Sequence, residues 1–209
     1  MSYLLGVHTS TRGDDSWSNK LLEEFESQFL AAHPGSKVRR RFTSEIPHLN
    51  FAEQRAGRTP IAEQSDSDRA AFSLSNELTD DLLGASALVI ATPMYNWGPP
   101  SSLKAWIDRI INVKTFYDQA GALSDLPVTF IISSGGLYSE GDSTQHDHLR
   151  PLLRECFSRI GITDQIFINC DPAGPLDRGL VAADAPDSAY SKALAQIPAA
   201  VARMRQLKA

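Results

Sequence analysis

The stretch Leu88-Val89-Ile90-Ala91-Thr92-Pro93-Met94-Tyr95-Asn96-Trp97-Gly98-Pro99-Pro100-Ser101-Ser102-Leu103-Lys104-Ala105-Trp106-Ile107-Asp108 decides the fold. A short apolar run, Ala87 to Ala91, has the composition of a strand buried on both faces. Thr92 and Pro93 stop it. From Ser101 a helical pattern starts, with Leu103, Trp106, Ile107, Ile110 and Ile111 on one face, and it predicts a helix ending near Val113. Between them Met94-Tyr95-Asn96-Trp97-Gly98-Pro99-Pro100 forms a stiff loop in which two aromatics flank an amide. Loops at the carboxyl ends of parallel strands are where open α/β sheets hold ligands.

Outward from this centre, strands and helices alternate. Tyr3 to His8 reads as a first strand, followed by a hydroxyl-rich loop and a helix to about Ala32 with Leu21, Leu22, Phe25 and Phe29 inward. Lys37 to Phe42 is a polar second strand at or near an edge. Residues 43–64 show little periodicity and read as a long excursion. A helix is predicted from about Asp66 to Leu83, and residues 114–125 are irregular. Pro127 to Ser133 is a fourth strand, Ser143 to Ile160 a helix, Ile162 to Cys170 a fifth strand and Ser188 to Leu207 a last helix. The alternation predicts an α/β doubly wound, five-stranded parallel sheet of flavodoxin-like order 2-1-3-4-5, helices on both faces, with residues 1–209 as one domain.

Composition narrows the function. A formal net charge of -5 argues against a nucleic-acid surface, and no apolar run is long enough to span a bilayer. The amino terminus reads as a strand rather than a leader. Cys156 and Cys170 lack metal-ligand spacing, and reduced core thiols in a cytoplasmic protein are expected. His146-Asp147-His148 places two imidazoles at i,i+2, where they diverge on a helix; a solvated face is expected, and no metal site.

In the predicted strand order the loops after strands one, three and four lie side by side. The first offers Ser10, Ser16 and Ser18, the charge of Arg12 and the free N–H groups of a helix start, an anion site without lysine. The competing reading there is simple N-capping by Asp15 or Ser16. The fourth-strand loop, Ser133-Ser134-Gly135-Gly136, lets backbone N–H groups approach a ligand. A phosphate end, an aromatic middle and a wall of backbone donors match the three parts of flavin mononucleotide (FMN).

Pro93-Met94-Tyr95-Asn96 followed by Pro100-Ser101-Ser102-Leu103-Lys104-Ala105-Trp106-Ile107-Asp108-Arg109 resembles the signature of the FMN-dependent NADH:quinone oxidoreductases, or NADH-azoreductases. Ser16-x-Ser18, Thr115-Phe116 and Ser133-x-Gly135-Gly136 resemble that family at the expected places. The resemblance implies that Ser10, Ser16, Trp17 and Ser18 hold the phosphate. It implies that Pro93, Met94, Tyr95, Asn96 and Trp97 line the isoalloxazine, while Ser133, Ser134, Gly135 and Gly136 meet its edge. Tyr117 and Tyr138 are candidates to border the substrate space beside Trp97. The chain departs from the family's usual pattern at Ser134, where arginine is frequent, and at Thr11, where proline is.

The expected activity is two-electron transfer from NADH or NADPH through non-covalent FMN to quinones and azo compounds, in a ping-pong cycle. The chemistry belongs to the cofactor, so no catalytic side chain is assigned. The resemblance also implies a homodimer with its sites at the interface. Three rivals share parts of this pattern. An NADPH-preferring flavin reductase is the nearest. A non-enzymatic flavodoxin-type electron carrier would be shorter and more acidic. A signalling receiver domain would need an aspartate after strand three, where Thr92-Pro93 stands, and a lysine after strand four, where Ser133 stands.

Overall fold

The computed structural model describes residues 3–204, apart from the side chain of Asp118. Five parallel strands, β1 (Tyr3–His8), β2 (Lys37–Phe42), β3 (Ala87–Pro93), β4 (Val128–Ser133) and β5 (Gln165–Cys170), form one sheet in the order β2-β1-β3-β4-β5. All seven residues of β3 are buried. One core, with Leu5, Ile90, Trp106, Phe130 and Phe157, fills one face of the sheet. A second, with Leu21, Phe25, Val89, Ile131 and Ile197, fills the other. The doubly wound architecture expected from the alternation is therefore present.

The α-helices of the described residues are α1 (Trp17–Ala32), α2 (Phe51–Ala56), α3 (Asp66–Ala71), α4 (Ser73–Gly84), α5 (Ser101–Ile110), α6 (Leu149–Arg159), α7 (Gly174–Asp177), α8 (Ala189–Leu194) and α9 (Ile197–Arg203), and a π-helical turn spans Lys114–Asp118. Several differ from the sequence expectation, each for a local reason. The helix predicted over 66–83 is two, broken at Phe72, whose ring is buried against Gly57 of the excursion. α6 starts at Leu149, not Ser143. Pro151 thus falls in its first turn, where a missing N–H costs no helical bond. The last predicted helix divides at Pro198, which sits in the first turn of α9; Leu207 lies outside the described residues. α5 stops at Ile110 because Thr115 Oγ1 donates to the Ile110 carbonyl at 2.8 Å. β5 begins at Gln165, since the Ile162 N–H donates to the Phe157 carbonyl instead.

The excursion is ordered by a buried cation. Arg109 of α5 is fully buried and donates to the carbonyls of Pro47 (2.9 Å) and His48 (3.4 Å), to Ser75 Oγ (3.2 Å) and to Glu53 (3.1 Å). α2 carries a reciprocal capping box between Asn50 and Glu53. Edge strand β2 is guarded by charge: Arg39 and Arg41 pair with Asp81, and Arg40 pairs with Glu26 at 2.6 Å. Cys156 and Cys170 are free, and burial pushes the Cys170 thiol up to about 12.

Glu26 is buried beneath β1, 3.7 Å from His8 Nε2. Burial alone would raise its carboxyl; contact with His8 and Arg40 outweighs that and holds it below the ordinary range. A depressed carboxyl adds stability above its unfolded pKa and loses it as pH falls through the folded value. Glu26→Gln should therefore flatten the acid limb of the stability curve, read from thermal melts between about pH 3 and 7. Only Gly6 leaves room for this carboxylate, since a Cβ there would lie 2.5 Å from Glu26 Oε1. Gly6→Ala should cost about 1–3 kcal/mol in urea unfolding, the ordinary cost of overpacking. A melt unchanged by that substitution would mean that Glu26 moves freely.

Candidate functional site

The loops after β1, β3 and β4 meet α7 in one cleft of about 140 Å³ lined by Ser10, Arg12, Ser16, Trp17, Pro93, Met94, Tyr95, Ser133, Ser134, Gly135, Ala173 and Asp177. Roomier cavities lie beside the excursion (about 450 Å³) and between β2 and the first loop (about 540 Å³). Neither unites the three strand-end loops, so chemistry rather than size selects the cleft.

Each loop brings a pair of adjacent backbone N–H groups that, among the described residues, find no protein acceptor: Trp17 and Ser18, Asn96 and Trp97, Gly135 and Gly136. The first pair opens α1. Ser16 caps that helix, its Oγ accepting from Asn19 N–H at 3.4 Å, and Ser18 Oγ is buried 3.1 Å from Ser16 Oγ. Ser16 therefore caps the helix, as the competing reading expected, and also lines the cleft.

The second pair comes from a tight turn. Tyr95 and Gly98 exchange two backbone hydrogen bonds of 3.0 Å, and Asn96 (φ 46°) and Trp97 (φ 66°) both adopt left-handed backbone. This is the geometry of a type I′ turn, which normally takes glycine or asparagine; tryptophan in the left-handed region costs about 1–2 kcal/mol. The Trp97 side chain is half exposed, and its carbonyl accepts from His148 N–H at 2.9 Å. Tyr95 Oη lies 3.4 Å from Thr11 Oγ1, tying the third-strand loop to the first.

The third pair is braced from behind. Asp171 accepts from the N–H groups of Tyr138 (3.0 Å) and Ser139 (2.9 Å) and from Ser139 Oγ (2.8 Å), and Arg150 reaches it at 3.3 Å. α7 docks on the same loop through Ala173 N–H to Ser134 O (2.8 Å) and Gly174 N–H to Gly135 O (3.0 Å). A Cβ on Gly174 would sit 2.7 Å from the Gly135 oxygen, so this approach requires glycine.

The fourth wall is what sequence reasoning missed. Asp177, on α7, accepts two hydrogen bonds from Arg12 (3.0 and 3.1 Å) and one from Trp17 Nε1 (2.9 Å). The Arg12 guanidinium holds the Asp177 carboxyl below its ordinary range against the opposing effect of partial burial, and Trp17 adds to the lowering. Arg12 is raised reciprocally. The only sequence signal was an aspartate in a Pro/Gly-rich segment, which carries no chemistry by itself.

Of the other predicted residues, Asn96 and Trp97 stand exposed at the rim. Tyr138 packs its ring over Gly136, and Tyr117 is exposed and outside the cleft lining. His146 and His148 are exposed and outside any α-helix. Asp147, buried between them, caps α6 by accepting from Leu149 and Arg150 N–H.

Residues 3–197 match the family model described as flavodoxin-like fold. An FMN-dependent NADH:quinone oxidoreductase of Hyphomonas neptunium is 38% identical over 182 residues, 83% of this chain and 86% of its own length. FMN-dependent NADH:quinone oxidoreductase 2 of Pseudomonas fluorescens is 36% identical over 178 residues, 82% of this chain and 88% of its own. This chain belongs to the flavodoxin-like family. An FMN-dependent NADH-azoreductase of Bacillus anthracis, solved in complex with FMN, superposes with a TM-score of 0.79 over 98% of this chain and 99% of that one, at 19% identity. That likeness concerns the fold. In a flavodoxin-like sheet the strand order reverses between β1 and β3, with β4 next to β3, and this cleft lies at the ends of those strands.

The strained turn yields a test. Trp97→Gly and Trp97→Ala delete the same ring, but only glycine relieves the left-handed backbone. The glycine variant should be the more stable of the two by about 1 kcal/mol in urea unfolding. An alanine variant equal to it would show that the turn is not strained in solution.

Proposed function

We propose that this protein is an FMN-dependent oxidoreductase that moves two electrons from NADH or NADPH to quinones and azo compounds. The observation carrying this reading is that the loops after β1, β3 and β4, each with a pair of unclaimed backbone N–H groups, meet in one cleft at the sheet's switch point. Curated relatives at 36–38% identity bearing the name FMN-dependent NADH:quinone oxidoreductase support the class.

FMN, when bound, supplies the hydride and electron chemistry. The chain's task is to hold and tune it. Ser10, Arg12, Ser16 and the N–H groups of Trp17 and Ser18 suit a phosphate: a guanidinium, hydroxyls and a helix start. Met94 and Tyr95 present a thioether and an aromatic face to a flat ring, with Pro93 buried at the strand end. The N–H groups of Gly135 and Gly136 would stabilise negative charge developing on that ring. Trp97 at the rim borders the space a second planar molecule would occupy. The resemblance in the central motif supports a homodimer, which sedimentation of the purified protein would test.

Protein reconstituted with FMN should show the bands of oxidised flavin, release FMN on heating, and bleach anaerobically with NADH or NADPH, recovering on addition of a quinone. A flavodoxin-type carrier would keep the flavin bands but resist direct bleaching. Ser16→Ala with Ser18→Ala should weaken FMN at least about tenfold, since hydrogen bonds to a charged group are worth ~1.5–3 kcal/mol each. It should also cost about 1 kcal/mol of stability through the lost cap. An unchanged FMN titration would move the phosphate elsewhere.

A further inference from the structure

The donors best suited to an anion in the cleft are already engaged by a carboxylate of the protein itself. Asp177 takes two N–H groups of Arg12 and the indole N–H of Trp17, all within 3.1 Å, and it lines the same cleft as Ser10 and Ser16. A guanidinium has five donors, so Arg12 could serve a carboxylate and a phosphate together. An indole has one, so Trp17 cannot. Charge points the same way: a phosphate monoester carries about -1.5 to -2 near neutrality and would lie beside a fixed negative charge.

α7 gives Asp177 little freedom to withdraw. Its amino end is fixed to the fourth-strand loop by the Ala173 and Gly174 N–H bonds, and the Gly174–Gly135 approach leaves no room for a Cβ. Arg12, by contrast, lies on an exposed loop with its side chain about half exposed. Exchange of anions here therefore means that Arg12 and Trp17 change partner while the carboxylate stays near.

We propose that Asp177 is an internal competitor for the phosphate end of the cleft, holding Arg12 and Trp17 in place when no anion is bound and weakening every phosphorylated ligand that needs them. The inference rests on the FMN reading for its ligand but concerns the selectivity of the site. Asp177 sets how strongly the phosphate, as opposed to the ring, contributes to affinity. Asp177→Asn keeps the shape and one acceptor for the Trp17 N–H while removing the charge.

The test is fluorescence titration of apoprotein with FMN and with riboflavin, which lacks the phosphate, for wild type, Asp177→Asn and Asp177→Glu. A thermal-shift series with inorganic phosphate runs alongside. Asp177→Asn should bind FMN about three- to fivefold more tightly, as expected for releasing a half-exposed ion pair. Riboflavin affinity should stay unchanged, Asp177→Glu should resemble wild type, and phosphate should stabilise the asparagine variant more than wild type. FMN affinity unchanged or weakened in Asp177→Asn overturns the proposal, as does equal tightening of riboflavin. If no protein binds FMN, the FMN reading fails, and the phosphate series alone decides: equal stabilisation of both proteins then rejects the competitor role.

Discussion

Seven consecutive buried residues at the centre of the sheet constrain the rest of this molecule. β3 is flanked by β1 and β4 and covered on both faces, so its register with each neighbour admits little slippage. Its end is fixed in depth as well, because the ladder continues one step beyond the strand through the 2.7 Å bond from Met94 N–H to the Ser133 carbonyl. Where β3 stops, the chain must emerge between the loops of β1 and β4. The cleft follows from that geometry: three loops with spare backbone donors face one another because the strands that launch them are neighbours.

Polar interactions away from the cleft then determine how well those loops are held. Arg109 is the largest such commitment, a fully buried cation whose partners all belong to segments distant in sequence. Removing one member of a buried charged network is costly because the other is left unpaired. α5, which carries Arg109, is also the helix launched by the third-strand loop, so the excursion, α4 and that loop share one anchor. This explains how a segment of poor periodicity can be ordered without a core of its own.

What was legible in the sequence were features written in local pattern. All strands but the polar β2 announced themselves by apolar runs, and their order followed from α/β alternation. The loops were visible as departures from periodicity at strand ends. Two kinds of feature were not legible. Pro151 and Pro198 lie within stretches that read as continuous helix, and only knowledge of the start position shows that each belongs to a first turn. Long-range polar partners leave no pattern at all: Arg12 and Asp177 are 165 positions apart, and Arg109 and Pro47 are 62 apart. Arg109 sits within an otherwise amphipathic helix, where an arginine normally reads as a solvated charge. The hydroxyls of the first loop were seen as ligand donors, but that Ser18 turns toward Ser16 was not available from spacing.

The braces behind the cleft suggest why so much polar structure is invested in so few loop residues. Backbone donors stabilise developing charge effectively only when they need not reorganise as the charge appears. Each of the three loops carrying them is braced by contacts within or behind it: the Ser16 cap on Asn19 in the first, the Tyr95–Gly98 turn with its His148 contact in the second, and Asp171 with Arg150 in the third. A left-handed tryptophan is tolerated in the second for the same reason. A glycine at position 97 would relax the turn, but it would also widen the range of conformations open to the two N–H groups beside it. The strain is the cost of a rigid turn that also places a large aromatic at the rim of the cleft.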